Sequence, residues 1–202
     1  GGLIGSESLG DGSAGRVQVT ATGAINISGF LPGISGVGPV LLTDITSGIS
    51  TDAFAGGSGA RVSVATPSLT MNNGHLSSNT YATGVAGSVD IHAGSVTLTG
   101  GAGITSTAFA GGDGGNVSVT ATDQISISGH SGKSFAVGPL VFPDNESGIA
   151  TSTFGTGKSG AVTVTTPMLS MFADGIIQAA TGSDGSAGNI SVNAGTINLR
   201  SG

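Results

Sequence analysis

The 202-residue sequence contains no cysteine, and charged residues make up only 8% of it. A chain without cysteine has neither a disulfide scaffold nor a cysteine-based metal site. The net charge is −6, from 11 acidic and 5 basic residues, which argues against a nucleic-acid partner because such proteins carry a basic stripe. No apolar run in the sequence approaches the roughly 20 residues of a membrane span, so we expect no membrane-spanning segment.

Blocks of strong helix formers are also missing, whereas glycine supplies 39 residues. Glycine and β-branched residues are poor helix formers, so long helices are not expected. The glycines follow no Gly-X-Y period, which excludes collagen. Because 37% of the residues are hydrophobic, the chain also differs from a disordered polar segment. The composition therefore indicates an ordered all-β protein.

The sequence consists of two copies of one long unit. The segment from Gly15 to Gly29 matches the segment from Gly115 to Gly129, at an offset of 100 residues. Further on, Ala86–Gly94 matches Ala187–Gly195 at an offset of 101, so one residue has been inserted in between. We predict that residues 1–101 and 102–202 are two long repeat units of one continuous solenoid.

A shorter unit recurs within each long one. Its template is Gly-x-Val-x-Val-x-Ala, then Ile-x-Ile, then Gly-Ile-x-Thr-x-Thr-Phe, and then a glycine-rich turn. The three segments alternate apolar and polar residues with the period of a strand. Its first segment starts near Val17, Val62, Val89, Val117, Val162 and Ile190. This pattern predicts a right-handed parallel β-helix with three strands per coil, about five full coils and a partial coil at each end.

An aromatic residue recurs five positions after the apolar start of the third segment. The four aromatic residues at this position are Phe54, Tyr81, Phe109 and Phe154. Stacked coils place equivalent residues above one another, so the sequence predicts a column of stacked rings. The pattern fails in the two end coils, where Leu9 and Gly182 occupy about that position.

Two insertions of about 17 residues follow Ile27 and Ile127, three coils apart on the same edge. Both contain an apolar block. The candidate contact residues are Phe30, Leu31, Val40, Leu41 and Leu42 in the first insert, and Phe135, Leu140, Val141 and Phe142 in the second. One interpretation is a hairpin or omega loop that folds back on the solenoid wall. The other is an exposed apolar surface that contacts a partner or a neighbouring filament.

The coil motif resembles the repeat region of filamentous-haemagglutinin-like exoproteins. The resemblance is carried by Ala187–Leu199 (Ala-Gly-x-Ile-x-Val-x-Ala-Gly-x-Ile-x-Leu) and Ser147–Gly157 (Ser-Gly-Ile-x-Thr-x-Thr-Phe-Gly-x-Gly), and it covers nearly the whole chain. That family consists of large bacterial surface proteins, usually exported by two-partner secretion. The resemblance implies an extracellular or bacterial cell-surface location.

We searched the sequence for the residue clusters that enzymes and metal sites need. Asp90 and His92 lie on one strand face, but the matching coil has Ser191 and Asn193 there, so we expect no catalytic pair and no enzyme. No cofactor is expected. Asp-Gly turns at Asp11, Asp113 and Asp184 leave Ca²⁺ binding open, although turn formation alone explains them.

Three functions remain on the basis of sequence. The first is a structural shaft in a surface fibre, biofilm or matrix, whose two ends are compatible with continuation in a longer chain or with head-to-tail self-association. The second is an adhesin that binds a host or neighbouring surface through the two inserts. The third, ice binding through flat threonine arrays, is disfavoured because the outward columns mix Gln18, Ser63, Asp90 and Ser118.

Overall fold

The structure, a computed structural model, describes residues 1–37, 40–132, 135–137, 140–142 and 146–201, with side chains described outside 30–46 and 133–145. Its regular elements are all strands, and this part of the chain includes no helix. In chain order the strands are β1 (Leu3–Ser8), β2 (Val17–Thr20), β3 (Ile25–Ser28), β4 (Phe30–Val37), β5 (Val40–Ala53), β6 (Val62–Asn72), β7 (Gly74–Thr80), β8 (Val89–Thr99), β9 (Gly103–Ala108), β10 (Val117–Ser128), β11 (Phe135–Val137), β12 (Leu140–Phe142), β13 (Gly148–Thr153), β14 (Val162–Phe172), β15 (Ile176–Thr181) and β16 (Ile190–Arg200).

The strands form two parallel stacks, as expected for a β-solenoid. Sheet A has the order β1-β5-β7-β9-β13-β15, and sheet B has β16-β14-β10-β8-β6, with β2 and β3 both paired to β6. Each strand of a stack is therefore bonded to its equivalent in the next repeat. Ile49, for example, lies in register with Ile4 on one side and with Leu76 on the other.

The strands stack in this register because their apolar residues alternate with polar ones. In β6, Val62, Val64, Leu69 and Met71 are fully buried and Thr66 is also buried, whereas the other positions are partly or fully exposed. Corresponding residues of β8, β10 and β14 join them in one continuous core. Burial of one such side chain is worth about 1.5–3 kcal/mol, and a slip of one residue would turn the whole set outward.

Sheet B differs from the expectation of separate first and second segments. In the first repeat the two segments are distinct strands, β2 and β3, but in the later repeats a single long strand runs through both. The pairing of β6 with β8 skips Pro67 and Gly94. Proline has no N–H to donate, so the hydrogen-bond ladder is interrupted there without ending the strand.

Two columns of glycine allow the turns of successive repeats to stack closely. A Cβ on Gly84 would collide with the carbonyl of Gly57, and a Cβ on Gly87 would collide with the carbonyl of Ala60. The same contact recurs at Gly57, Gly112, Gly157 and Gly185 in the first column, and at Gly115, Gly160 and Gly188 in the second. The high glycine content thus reflects backbone stacking in the turns.

The two inserts contain antiparallel strand pairs. In the first, β4 pairs with the beginning of β5. In the second, β11 pairs with β12. The two pairs meet at Val137 and Leu42, which are register partners of β11 and β5. The inserts therefore form one antiparallel sheet in the order β4-β5-β11-β12, which bridges repeats that are three apart.

Candidate functional site

The four aromatic residues form a continuous stack beside the C-terminal ends of the sheet A strands. The ring centroids of Phe54 and Tyr81 are 4.7 Å apart, with planes 2° from parallel. Tyr81 and Phe109 are separated by 4.8 Å, and Phe109 and Phe154 by 5.6 Å. The separation follows the spacing of adjacent strands, about 4.8 Å. The stack thus has the order that the five-residue count predicts.

A buried polar cluster lies next to this stack. Asn79 donates a hydrogen bond from Nδ2 to Oδ1 of Asp52 at 2.9 Å. Burial raises the pKa of Asp52 to about 6, and the nearby charge of Glu7 adds to this increase. Burial also raises the pKa of Tyr81 above its ordinary value. The cluster therefore combines a carboxyl, an amide and a phenol, with one exposed carboxylate, Glu7, at its edge.

His75 lies near the start of β7, four residues before Asn79, and is packed against glycine. It is in register with Gly48 and Gly103, and a Cβ on Gly48 would overlap the imidazole ring. Burial lowers the pKa of His75 to about 4, so the imidazole is neutral at physiological pH. Five strand positions separate His75 from Thr80 at the end of β7, and the ring belongs to the packing of sheet A.

A column of hydroxyls inside the solenoid was missed by the sequence analysis. In five successive repeats a Ser or Thr accepts a hydrogen bond from a turn N–H nine residues further on; for example, Gly87 N–H donates to Ser78 Oγ at 2.9 Å. The other pairs are Gly15 with Ser6, Ala60 with Thr51, Gly115 with Ser106, and Gly160 with Thr151. The sequence signal that could have indicated this column is the recurring Thr of the template Gly-Ile-x-Thr.

The same hydroxyls also connect neighbouring repeats. Ser106 donates to the carbonyl of Gly87 at 2.8 Å, and Thr151 donates to the carbonyl of Gly115 at 2.8 Å. In the last repeat this position is Ala179, and Gly188 N–H donates instead to Ser159 Oγ at 2.8 Å. These turns are therefore tied to the core by hydrogen bonds that are mostly part-buried, and leaving a buried polar group unpaired is costly.

The carboxylates of the Asp-Gly turns accept hydrogen bonds from the adjacent repeat. Gly56 N–H donates to Asp11 at 3.3 Å, and Lys158 N–H donates to Asp113 at 2.7 Å. Asn116 accepts in the same way from Ala161 N–H at 2.8 Å. No group of three or more His, Cys, Asp or Glu residues that could hold a metal ion occurs among the residues with described placement.

The Asp90 carboxylate on the outer face of sheet B is engaged in an ion pair. Its Oδ2 lies 2.8 Å from Nε of Arg61 and accepts a hydrogen bond from Ser88. His92, two residues further on, is exposed. Asp90 is thus directed towards Arg61 on the neighbouring repeat, and these contacts give it a structural role.

The candidate contact residues of the inserts are placed by the backbone alone. Phe30 and Leu31 belong to β4, and Val40, Leu41 and Leu42 begin β5. Phe135 belongs to β11, and Leu140, Val141 and Phe142 form β12. Their side chains lie outside the described set. The register aligns Leu42 with Val137 and Val137 with Leu140.

The last strand of sheet B exposes a row of apolar residues. Ile190, Val192, Ile197 and Leu199 are 47%, 36%, 49% and 70% exposed. They continue the columns of Val162, Val164, Leu169 and Met171, the first three of which are buried in the preceding strand. The pairing found for β16 is with β14 on one side. The exposed edge therefore has the chemical character of the solenoid interior.

Among the residues that the structure describes, none forms the long apolar helix that crosses a bilayer. The sequence and the structure match no protein-family model, no curated protein and no solved structure. The site must therefore be interpreted from its own geometry.

Proposed function

We propose that this chain is the rigid, non-catalytic shaft of an extracellular fibre or matrix on a bacterial surface. The observation that carries the proposal is the in-register stacking of equivalent residues along both sheets, from β1 to β15 and from β2 to β16. Such an array is rigid along its axis because each repeat is bonded to its neighbours through backbone, core and turn contacts.

The apolar edge of β16 supports continuation of the shaft. Its exposed Ile190, Val192 and Ile197 have the alternation of a core strand, and unpaired parallel strands template the addition of another strand. A further coil, supplied by a longer chain or by a second copy stacked head to tail, would cover them. Either route gives an elongated rod.

The finer architecture is part of the same proposal. We infer three strands per coil, a right-handed course, and about five full coils with partial coils at the ends. The interruption of the ladder at Pro67 and Gly94 supports a bend between the first and second segments. Right-handed connections between parallel strands are strongly preferred.

The chemistry of the outer surfaces supports a structural role. The carboxylates of Asp11 and Asp113 accept turn hydrogen bonds, and Asp90 pairs with Arg61. These arrangements differ from the clustered, accessible acids of polysaccharide-cleaving enzymes. The resemblance of the coil motif to haemagglutinin-like exoproteins supports the surface location.

Electron microscopy of the native material, together with its intact mass, tests the proposal. We expect long rods whose axial repeat corresponds to the repeat units, and the mass distinguishes a continuous chain from stacked copies. Short isolated particles with a mass of one chain would contradict the shaft.

An adhesive role is the second candidate, and one observation favours it. The inserts pair with each other through β5 and β11, which gathers apolar residues of two repeats into one sheet. Apolar surfaces that are exposed to solvent commonly contact partners. An adhesin would use this sheet to bind a host or neighbouring surface.

Deletion of residues 30–45 and 130–145 separates the two functions. If the inserts are adhesive, the variant loses attachment to a coated surface while its cooperative unfolding and far-ultraviolet circular dichroism persist. Attachment at the level of the intact chain would contradict the adhesive role.

A further inference from the structure

We infer that the open edge formed by β15 and β16 is covered by strands β1, β2 and β3 of a second copy of this chain, docked in one fixed register. The inference rests on the proposed shaft function and names both the partner and the alignment of its strands. A longer continuous chain is the alternative source of the next coil, and intact mass distinguishes the two.

The two ends of the described solenoid present the same kind of surface. At one end β1 pairs with β5, and β2 and β3 pair with β6; at the other, β15 and β16 are the last strands of the two stacks. Leu3 and Ile4 are 47% and 53% exposed at the first end, and Ile197 and Leu199 are 49% and 70% exposed at the second. Each end therefore offers an apolar strand edge that can template the addition of the other.

The register along the stacks fixes how the two ends would meet. In sheet B one column runs from Val19 through β6, β8, β10 and β14 to Val192. In sheet A the corresponding column runs from Ile4 through β5, β7, β9 and β13 to Ile177. A docked copy that continues both columns places its Val19 beside Val192 and its Ile4 beside Ile177.

The outer columns are compatible with the same register. Asn26 and Asn198 are the first and last members of one column of sheet B, so the junction places one asparagine beside the other. Stacked asparagines stabilise parallel strands that are in register. In sheet A, Glu7 of the second copy would lie beside Ala180, so this column brings no second carboxylate to the junction.

Gly12 is an independent observation that points to a turn stacked on the β1 end. A Cβ on Gly57 would lie 2.0 Å from the carbonyl oxygen of Gly12, and equivalent clashes follow along the column at Gly84, Gly112, Gly157 and Gly185. At Gly12 itself the nearest atom to a Cβ is Ser8 Oγ, at 3.9 Å. A single chain thus has room for a side chain at this position, whereas a docked copy would set the carbonyl of its Gly185 against it.

The turn carboxylates make docking dependent on salt. Asp11 and Asp184 immediately precede Gly12 and Gly185, and both are exposed. The junction brings these two like charges near each other, and salt screens the repulsion between exposed charges. Association of the chain should therefore strengthen as the NaCl concentration is raised.

Disulfide crosslinking of the 202-residue chain, which has no native cysteine, tests the register. In Asn26→Cys with Asn198→Cys, the two cysteines of one chain are separated by five strand spacings of about 4.8 Å, too far for a disulfide. Between docked copies their Cα atoms are about 4.8 Å apart, which is within disulfide range. We expect a ladder of covalent multimers on non-reducing electrophoresis after mild oxidation.

The control for crosslinking is Asn26→Cys with Ser191→Cys. Ser191 continues the column of Gln18, so the proposed register keeps it away from Asn26 of the second copy. Both positions are exposed, and random collisions would therefore crosslink this pair as readily as the first. We expect the control to remain largely uncrosslinked.

Sedimentation velocity of Gly12→Ala tests the stacked turn. The added Cβ meets open space in a single chain, so circular dichroism and thermal unfolding of the dilute protein should not change. At the junction the same atom would overlap the Gly185 carbonyl, and association should weaken about tenfold or more. Gly10→Ala is the matched control, because a Cβ there also meets no atom within 4 Å and the equivalent residue of the next turn is Ala55.

The inference is overturned if the 202-residue chain stays monomeric, if the two cysteine pairs crosslink equally, or if Gly12→Ala associates as strongly as the wild-type chain. It is also overturned if native rods have the mass of one continuous chain whose coils follow β16, an outcome that leaves the shaft function intact. Short native particles with the mass of one chain would contradict both proposals.

Discussion

The inner hydroxyl column shows how single polar atoms organise the turns of this protein. Ser78 is fully buried. It accepts the N–H of Gly87 at 2.9 Å and lies 2.8 Å from the Thr51 hydroxyl. The apolar side chains on the same face of the sheet cannot accept a hydrogen bond from the N–H of a turn. The hydroxyl is therefore needed at the point where the strand faces the returning turn.

Ser78→Ala should lower the free energy of unfolding by about 1–3 kcal/mol, the cost of a buried unsatisfied donor. Urea denaturation followed by circular dichroism measures the change. The control is Ser118→Ala, on the outer face of β10, for which we expect a change within about 0.5 kcal/mol. Equal effects of the two substitutions would argue against the role of the inner column.

Asp52 and His75 give the stability of sheet A opposite dependences on pH. The folded state raises the pKa of Asp52 from 3.8 to about 6, so between these values it keeps a proton that the unfolded chain has released. Stability from this group therefore falls as the pH rises through that window. The pKa of His75 is lowered from 6.5 to about 4 in the folded state. As the pH falls, the unfolded chain therefore takes up this proton first, and the contribution of His75 to stability is lost.

Asp52→Asn should stabilise the protein at pH 7.5 by up to about 3 kcal/mol, because it removes a buried carboxyl whose pKa is shifted by about two units. The amide retains an acceptor for Asn79 and carries no charge. The gain should shrink as the pH falls from 6 towards 3.8, because Asp52 is protonated in both states only below that lower value. Urea unfolding at pH 4, 5, 6 and 7.5 checks this, and a gain independent of pH would contradict it. His75 is present in both the wild-type chain and the variant, so its contribution cancels from the difference in stability between them.

At the scale of elements, the inserts connect parts of the sequence that are far apart. Each insert is a local antiparallel pair, but Val137 and Leu42 join them across two intervening repeats. Val40-Leu41-Leu42 and Leu140-Val141-Phe142 form an apolar block in each insert, and the hairpin or omega-loop interpretation was one of two left open. Their mutual pairing had no local signal, because it depends on both hairpins leaving the same edge of the solenoid.

A double cysteine variant tests this connection, and the chain has no native cysteine to interfere. Leu42→Cys with Val137→Cys should form a disulfide on mild oxidation, because directly opposed antiparallel residues have Cα atoms about 4.5–5.5 Å apart. Intact mass and non-reducing electrophoresis detect the crosslink. The control pair is Leu31→Cys with Val137→Cys, since Leu31 is opposite Ile45. Comparable crosslinking of both pairs would contradict the register.

The long strands of sheet B also differ from the sequence prediction. The repeat template predicted two short segments, and Pro67 and Pro167 lie between them in two of the repeats. Proline removes one donor but leaves the extended backbone intact. The strands β6 and β14 therefore run through the break, and the sequence pattern alone could not distinguish an interruption from an end.

At the scale of the whole molecule, stability is distributed over columns that run through every repeat. Core residues, stacked rings, hydroxyls and turn glycines each connect a repeat to its neighbours, so that each repeat depends on adjacent ones. These columns are open at the terminal strands of both stacks, and one of these open ends is the edge of β16. Its behaviour in solution follows from exposed Ile190, Val192, Ile197 and Leu199.

Val192→Lys combined with Ile197→Lys should abolish head-to-tail association, because two inward-facing charges cannot be buried by an incoming coil. Analytical ultracentrifugation over a range of concentrations measures the change. Ser191→Lys, on the outward face of the same strand, is the control and should leave association intact. A monomeric wild-type chain, or association that survives the double substitution, would exclude this edge as the contact.

The sequence by itself determined the all-β repeat, the alternation that separates core from surface, and the aromatic stack at Phe54, Tyr81, Phe109 and Phe154. These features follow from local periodicity, since identical spacings repeated along the chain must stack. Only the tertiary structure decided that Thr51 and Ser78 face inward to bind turns, that Asp52 lies beside Glu7 under burial, and that the inserts pair. Each of these depends on contacts between repeats, where burial and partner identity are set by residues about one coil or more away in the chain.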